Sequence, residues 1–142
     1  MYRKILVALD HSPADESLLP QITQLAARLG SDLLLLHVAD GWAARSFDQL
    51  KLAESEEIKS DRAYLENTAA CLRKNHLTVT TLLAMGNPPT EIIKVAEAEH
   101  CNLIAMTSHG HRFLGDLFHG STITQVRHQT HIPLFIVRAE KQ

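Results

Sequence analysis

A glycine- and hydroxyl-rich stretch near the carboxyl terminus carries the residue types that bind phosphate. It begins with Thr107-Ser108-His109-Gly110, continues for nine residues, and ends at Gly120-Ser121-Thr122, where helical spacing resumes. A glycine beside a small hydroxyl residue at a helix amino terminus leaves backbone N–H groups free, and the positive end of the helix dipole favours an anion there. The stretch therefore predicts an anion site, with phosphate as its natural ligand.

Three better-defined motifs come close to this stretch without matching it. Gly115 to Thr122 has the glycine spacing of a P-loop, but Ser121 stands where the phosphate-binding lysine belongs. No G-x-G-x-x-G follows any β-rich run, so the dinucleotide fingerprint is absent. Ser108-x-Gly110 is half of a nucleophile elbow, with Met106 in place of the first glycine. None of the three motifs predicts the function.

Nine histidines and two cysteines raise the question of a metal site. His109, His111 and His119 lie in the same loop region, but no histidine pair has the H-x-x-x-H spacing that places two ligands on one helix face. Cys71 and Cys101 share no metal-ligand or redox spacing. We therefore predict no metal site, interpret the histidines as structural or solvated, and expect both cysteines to be reduced thiols with buried packing roles.

The composition is that of one globular domain spanning residues 1–142. Apolar residues make up 45% and charged residues 21%, and fourteen basic against sixteen acidic residues leave a net charge of −2. This balance supplies no basic face for nucleic acid. Apolar runs such as Leu33 to Leu36 are too short to cross a membrane, and the amino terminus lacks a secretory pattern. We expect a cytoplasmic protein that binds neither nucleic acid nor membrane.

Five β-rich runs alternate with stretches of helical spacing. The predicted strands are Lys4–Asp10, Asp32–Val38, Leu77–Ala84 near a sheet edge, Asn102–Thr107 and Pro133–Arg138. The predicted helices run from Ser12-Pro13 to Gly30 with a kink at Pro20, from about Asp48 to Asn75 after an Ala39–Phe47 loop, from Thr90 after a Gly86–Pro89 turn, and from Gly120-Ser121. Strands that alternate with helices predict an α/β fold, an open doubly wound parallel sheet with helices on both faces.

The ligand site of such a sheet lies at the end where its parallel strands finish. A ligand binds outside the carboxyl ends of the strands, where the strand order reverses. The residues that follow the predicted strands there are Asp10 and His11, Val38 to Asp40, Met85 to Asn87, and Met106 onward. Because the phosphate-binding stretch follows the fourth strand, we expect the anion site at this end.

These features together resemble the universal stress protein family, whose nucleotide-binding members carry Gly-x2-Gly-x9-Gly-(Ser/Thr) after the fourth strand. Gly110, nine residues and Gly120-Ser121 match the last two glycines and the hydroxyl, while Thr107 replaces the first glycine. The resemblance includes ILVALDHS, LLHV, GNPPTEII and IPLFIVR, and so covers essentially the whole chain. It implies a Rossmann-like, adenine nucleotide alpha hydrolase-like fold with five parallel strands in the order 3-2-1-4-5.

The resemblance also implies an adenine nucleotide ligand, ATP with or without Mg²⁺, bound by a stress-response switch module. Carried over residue by residue, the cofactor-binding residues are Ala8, Leu9, Asp10, Val38, Met106, Thr107, Gly110, Gly120, Ser121 and Thr122. Ala8, Leu9 and Asp10 would line adenine and ribose, and Val38 would lie beside the base. Gly120, Ser121 and Thr122 would hold the phosphates. The family commonly forms homodimers through the last strand, here Pro133 to Arg138. Because the P-loop lysine is missing and only Arg112 lies nearby in the chain, we expect slow or absent hydrolysis, not an enzyme.

Two other interpretations stay open from the sequence. In the first, Thr107 prevents nucleotide binding, and the protein acts through protein contacts as a dimeric scaffold. A threonine fits this position if the backbone is extended and is strained if φ is positive. In the second, a small hydrolase or nucleotidyl-transfer enzyme uses Ser108, His109 and Asp10. That enzyme needs a serine–histidine hydrogen bond that adjacent residues do not readily form.

Overall fold

The computed structural model describes residues 1–40, 51–108 and 120–139. Strands and helices alternate along these residues, as the spacing of apolar residues predicts. The elements are β1 (Lys4–Ala8), α1 (Asp15–Leu29), β2 (Asp32–Asp40), α2 (Lys51–Arg73), β3 (Val79–Gly86), α3 (Pro88–Ala98), β4 (Leu103–Ser108), α4 (Gly120–Gln129) and β5 (Leu134–Arg138).

The five strands form one sheet in the order β3-β2-β1-β4-β5, and every neighbouring pair is parallel. β1 is central: Val7 is in register with Leu35 of β2 on one side and with Ala105 of β4 on the other. β3 lies at one edge of the sheet, as its alternating pattern predicts, and β5 lies at the other. The predicted fold class and strand order are confirmed.

Helices cover both faces of the sheet, each over its own apolar core. On one face, Leu18 and Ile22 of α1 and Leu65 of α2 pack against Val7 and Ala105. On the other face, α3 and α4 pack against the alternate strand residues, including Ala8, Ile104 and Met106. Because successive strand side chains point to opposite faces, the continuous apolar runs of β1 and β4 supply both cores at once.

Two predicted helix starts are wrong by two or three residues. Ser12 does not cap α1: the Ser12 hydroxyl donates to Asp10 Oδ2 at 3.0 Å, and a turn over residues 12–15 precedes the helix, which begins at Asp15. Thr90 does not begin α3. Asn87 is the N-cap, and the helix starts at Pro88, because a proline lacks an N–H and suits the first helical positions.

Other bounds agree with the sequence or differ by a few residues. Gly30 ends α1 in the left-handed conformation, with φ at 68°, and its N–H donates to the carbonyl of Ala26, as predicted. Pro20 lies inside α1, which is continuous from Asp15 to Leu29. The predicted loop over 39–47 is wrong at its start, because β2 continues to Asp40 in register with Gly86 of β3. The rest of that loop lies outside the described residues.

The described helices include none that is long and apolar enough to span a membrane. Both cysteines are free thiols. Cys101 is buried, and burial raises the pKa of its thiol. The expectation of a buried role for Cys71 is wrong: this residue lies on the outer face of α2 and is exposed.

Candidate functional site

The strand order reverses between β1 and β4. The chain leaves β1 for α1 on one face of the sheet, whereas α4, which follows β4, lies on the other face. Two adjacent strands whose connections leave in opposite directions open a crevice at their carboxyl ends. The predicted binding segments at the ends of β1, β2 and β4 meet at this crevice, because β2 also ends beside β1.

Ala8, Leu9 and Asp10 carry the chain out of β1 and are buried. Ala8 and Leu9 have no exposed surface, and Asp10 is 6% exposed. The Leu9 N–H donates to the carbonyl of Leu36 at 2.8 Å, so the backbone is still tied to β2 beyond the last residue of β1. The segment predicted to line adenine and ribose is therefore buried and bonded to β2 at the carboxyl end of β1.

Val38 and Met106 belong to the core over which α3 and α4 pack. Both have no exposed surface. Val38 is in register with Ala84 near the carboxyl end of β2, and Met106 with Ile136 near that of β4. Their side chains are packing residues, and whether they also contact a ligand stays a prediction.

Thr107 is an ordinary extended residue of β4, in register with Val137 of β5. It is absent from the described non-glycine residues with positive φ, so the threonine causes no backbone strain. By strand alternation its side chain shares the face of Leu103 and Ala105, over which α1 packs, and not the face of α4. Thr107 is fully buried, and its hydroxyl has no hydrogen-bond partner among the described residues.

The three residues predicted to hold phosphate, Gly120, Ser121 and Thr122, lie in the first described turn of α4. α4 begins at Gly120, and Thr122 in its first turn is 4% exposed. α4 packs against α3 and β4. Gly110, His109, His111, Arg112 and His119 lie outside the described residues.

A buried carboxylate organises the loop between β1 and α1. Asp15, the first residue of α1, is 1% exposed. Its Oδ1 accepts the Asp10 N–H at 2.9 Å, and its Oδ2 accepts the His11 N–H at 2.9 Å and the Tyr64 hydroxyl at 2.6 Å. Burial raises the pKa of Asp15 even though these donors oppose the shift. Burial and the Asp15 carboxylate also raise the pKa of Tyr64.

His11 adopts a conformation that L-residues rarely take. Its φ is 57°, in the left-handed region. Three contacts accompany that conformation: the N–H donates to Asp15, the ring stacks on Tyr64 with centroids 4.2 Å apart, and Nδ1 lies 2.6 Å from Asp61 Oδ1. These contacts hold the left-handed backbone of His11 in place beside the candidate ligand site.

Asp61 of α2 lies between two histidines. Besides His11, it faces His37 of β2, whose Nε2 is 3.5 Å from Asp61 Oδ2. Burial opposes the charged form of His37, but Asp61, the carbonyl of Leu9 and the charge of Asp10 outweigh it and raise the pKa of His37. Burial likewise opposes the charge of Asp61, but the two histidines outweigh it and lower its pKa.

Four residues around this loop were not among the predicted site residues: Asp15, His37, Asp61 and Tyr64. They meet only because the fold brings α1, α2 and β2 together. One signal was available for Asp61: it precedes the buried Leu65 by four residues, so a carboxylate interrupts the apolar stripe of α2. Among the described residues, no group of three or more His, Cys, Asp or Glu side chains is arranged to hold a metal ion.

A second concavity lies at the opposite end of the sheet. It is an open cleft of about 260 Å³ where α1 ends and where β2 and β3 begin. Its lining includes Ala26, Ser31, Asp32, His76 and Thr78. The cleft is remote from the carboxyl ends of the strands.

Comparison with known proteins assigns the family. The sequence matches the universal stress protein family over residues 1–138. Universal stress protein MJ0577 of Methanocaldococcus jannaschii is 27% identical, with 97% of this chain and 96% of the relative covered. Universal stress protein YxiE of Bacillus subtilis is 26% identical, with 97% and 100% covered.

Solved structures share the fold. The structure of MJ0577 matches with a TM-score of 0.82 at 26% identity, over 100% of this chain and 99% of that one. A universal stress protein from Archaeoglobus fulgidus in complex with dAMP matches with a TM-score of 0.71 at 22% identity, over 96% and 98%. The chain described here belongs to the universal stress protein family.

Proposed function

We propose that this protein binds an adenine nucleotide, ATP with or without Mg²⁺, at the carboxyl ends of β1 and β4. It acts in the cytoplasm as a stress-response binding or switch module with little or no hydrolysis. The observation that carries the proposal is the reversal of strand order between β1 and β4, with buried Asp10 following one strand and α4 starting at Gly120 beyond the other.

The roles of the residues are those that the resemblance to the family implies. Ala8, Leu9 and Asp10 line the adenine and ribose, and Val38 lies beside the base. Met106 and Gly110 bring the loop after β4 against ribose and phosphates, with Thr107 between them in the chain. The backbone N–H groups of Gly120, Ser121 and Thr122 hold the phosphates, because the first N–H groups of a helix have no partner within it.

The conformation of Thr107 supports retained nucleotide binding. The objection to a threonine at this position was backbone strain or a Cβ in the path of the ligand. Its backbone is extended, and its side chain points to the face of α1, so the sheet separates it from α4. The dAMP complex of the A. fulgidus relative adds that the same fold accommodates an adenine nucleotide.

The exposed edge strand favours a second role, which both the nucleotide-bound protein and a nucleotide-free scaffold can share. β5 is an edge strand, and its Ile136 is 41% exposed, although apolar edge strands are normally covered. We propose that Pro133 to Arg138 pairs with the same strand of a second copy to form a homodimer. The scaffold alternative keeps this dimer and has no nucleotide.

Calorimetric titration of nucleotide-stripped protein with ATP and Mg²⁺ tests the proposal. We expect micromolar binding that Gly120→Val abolishes, because the added side chain keeps phosphate from the N–H groups of α4. Ala27→Val is the control, since it also creates a β-branched valine, at an exposed position of α1 far from the crevice. Absence of heat from the folded wild-type protein, with no nucleotide released on denaturation, contradicts the proposal and favours the scaffold.

A further inference from the structure

His37 is a buried histidine between two groups that can only accept hydrogen bonds. The ring is on β2 and faces α2, and the residue is 4% exposed. Its Nδ1 lies 2.9 Å from the carbonyl oxygen of Leu9, and its Nε2 lies 3.5 Å from Asp61 Oδ2. No role in nucleotide contact is assigned to this side chain.

The two acceptors determine the protonation state of the ring. A carbonyl oxygen only accepts, so Nδ1 must carry a hydrogen to bond to Leu9. An ionised carboxylate also only accepts, so Nε2 needs a hydrogen as well to be attracted to Asp61. A ring with hydrogens on both nitrogens is the imidazolium cation, so the contacts of His37 select its charged form.

This cation ties the candidate nucleotide segment to α2. Leu9 immediately precedes Asp10, and His37 holds the Leu9 carbonyl from β2. Asp61 reaches the same segment directly through its 2.6 Å contact with His11 Nδ1. The carboxylate of Asp61 therefore connects the end of β1, the loop after it and α2, and its attraction to His37 depends on the proton at Nε2.

We propose that the His37–Asp61 pair is a pH-sensitive clamp on residues 9–11 that weakens nucleotide binding when the His37 ring loses its proton. The inference rests on the proposed nucleotide site. When His37 loses its Nε2 proton, the nitrogen lone pair faces the Asp61 carboxylate, the attraction becomes repulsion, and the loop that positions Asp10 loosens.

The direction of the pH dependence follows from the surroundings of the pair. The titratable groups around it come from β1–α1, α1 and α2, and are Asp10, His11, Asp15, Asp61 and Tyr64. The pKa of His37 lies above its usual 6.5, and that of Asp61 below its usual 3.8. The clamp is therefore closed between these two pKa values, opens as pH rises through the pKa of His37, and opens again only in strong acid.

The protonation of His37 is measured first and without any ligand. Nitrogen NMR of the histidine rings, followed from about pH 5.5 to about pH 9, gives the pKa of His37 in the folded protein. We expect a value above 6.5 in the wild type, and a lower one in Asp61→Asn, where the attracting charge is gone. A His37 ring that is neutral at pH 6.5 overturns the clamp whatever the nucleotide does.

Nucleotide affinity is then measured over the same pH range with ATP and Mg²⁺ as the probe. We expect the Kd of the wild type to rise about tenfold across the His37 titration, because the 3.5 Å ion pair between His37 and Asp61 is lost. Phosphate also takes up a proton near neutral pH, so each variant is compared with the wild type at every pH. His37→Gln and Asp61→Asn should lack the rise in Kd that comes from His37. His128→Gln, at an exposed position of α4, should retain it.

The outcomes separate this inference from the proposed function. Wild-type binding with the same pH profile as His37→Gln and Asp61→Asn overturns the clamp and leaves the nucleotide site intact. Absence of ATP binding at every pH overturns the proposed function and the regulation with it. Two variants are used so that a folding defect in one, detected by circular dichroism, does not decide the result.

Discussion

Replacement of Asp15 by alanine removes the acceptor on which the β1–α1 loop depends. The carboxylate, 1% exposed, accepts the N–H groups of Asp10 and His11 and the hydroxyl of Tyr64. In Asp15→Ala these three donors lose their partner inside the protein, and the left-handed backbone of His11 loses one of its restraints.

The size of the effect follows from the three donors. Each donor left unpaired in a buried place costs about 1–3 kcal/mol. The three share one carboxylate, so their losses do not add, and removal of a buried charge recovers part of its desolvation cost. We therefore expect Asp15→Ala to lower the free energy of unfolding by about 3 kcal/mol, a large share of the roughly 5–15 kcal/mol of an ordinary domain.

Urea denaturation followed by circular dichroism at neutral pH measures this loss. Asp15→Asn keeps the volume and one acceptor, so we expect about half the effect, and Tyr64→Phe removes one donor for about 1 kcal/mol. Asp32→Ala, an exposed carboxylate at the start of β2, is the matched control and should stay within about 0.5 kcal/mol of the wild type. A loss below about 1 kcal/mol for Asp15→Ala would refute the assignment of Asp15 as the organiser of this loop.

Three further predictions concern single positions. Thr107→Val replaces a buried hydroxyl that lacks a partner among the described residues and should raise the free energy of unfolding by about 1 kcal/mol in urea denaturation; a loss of stability contradicts it. Ile136→Lys places a charge on the exposed edge of β5 and should convert the proposed dimer to a monomer in sedimentation, whereas an unchanged mass excludes this interface. The raised pKa of His37 means that its protonated ring stabilises the fold, fully so below pH 6.5. The free energy of unfolding of the wild type should therefore fall as pH rises through the pKa of His37, and His37→Gln should not show this fall.

The fold was accessible from the sequence because each strand is a short apolar run bounded by polar residues. A run such as residues 4–10 has to be buried on both faces, and burial on both faces requires helices on both sides of the sheet. Element ends were less accessible. At Ser12 the side-chain hydroxyl donates to Asp10 and accepts the N–H of Ala14, the residue before the helix. After Asn87 two prolines place the helix start closer to the amino terminus than predicted. Competing local hydrogen bonds decide such positions.

The backbone segments of the candidate site could be predicted from the sequence, but the side-chain contacts around them could not. Residues at strand ends can be placed from topology alone, which is how Asp10 and Thr107 were identified. The partners of the loop cannot be placed this way, since Tyr64 meets Asp15 across 49 residues of sequence and Asp61 meets His11 across 50. The face of Thr107 also depends on the register of β4, which only the structure supplies.

The location of the nucleotide is tested most directly by amide chemical shifts of ¹⁵N-labelled protein titrated with ATP and Mg²⁺. The account predicts that the largest changes fall on residues 8–10, 38, 106–107 and 120–122, at the carboxyl ends of β1, β2 and β4 and the start of α4. Changes confined to residues 26–32 and 75–78 would place the ligand in the cleft at the opposite end of the sheet, and absence of any change would leave the protein without a nucleotide site. Either result contradicts the account.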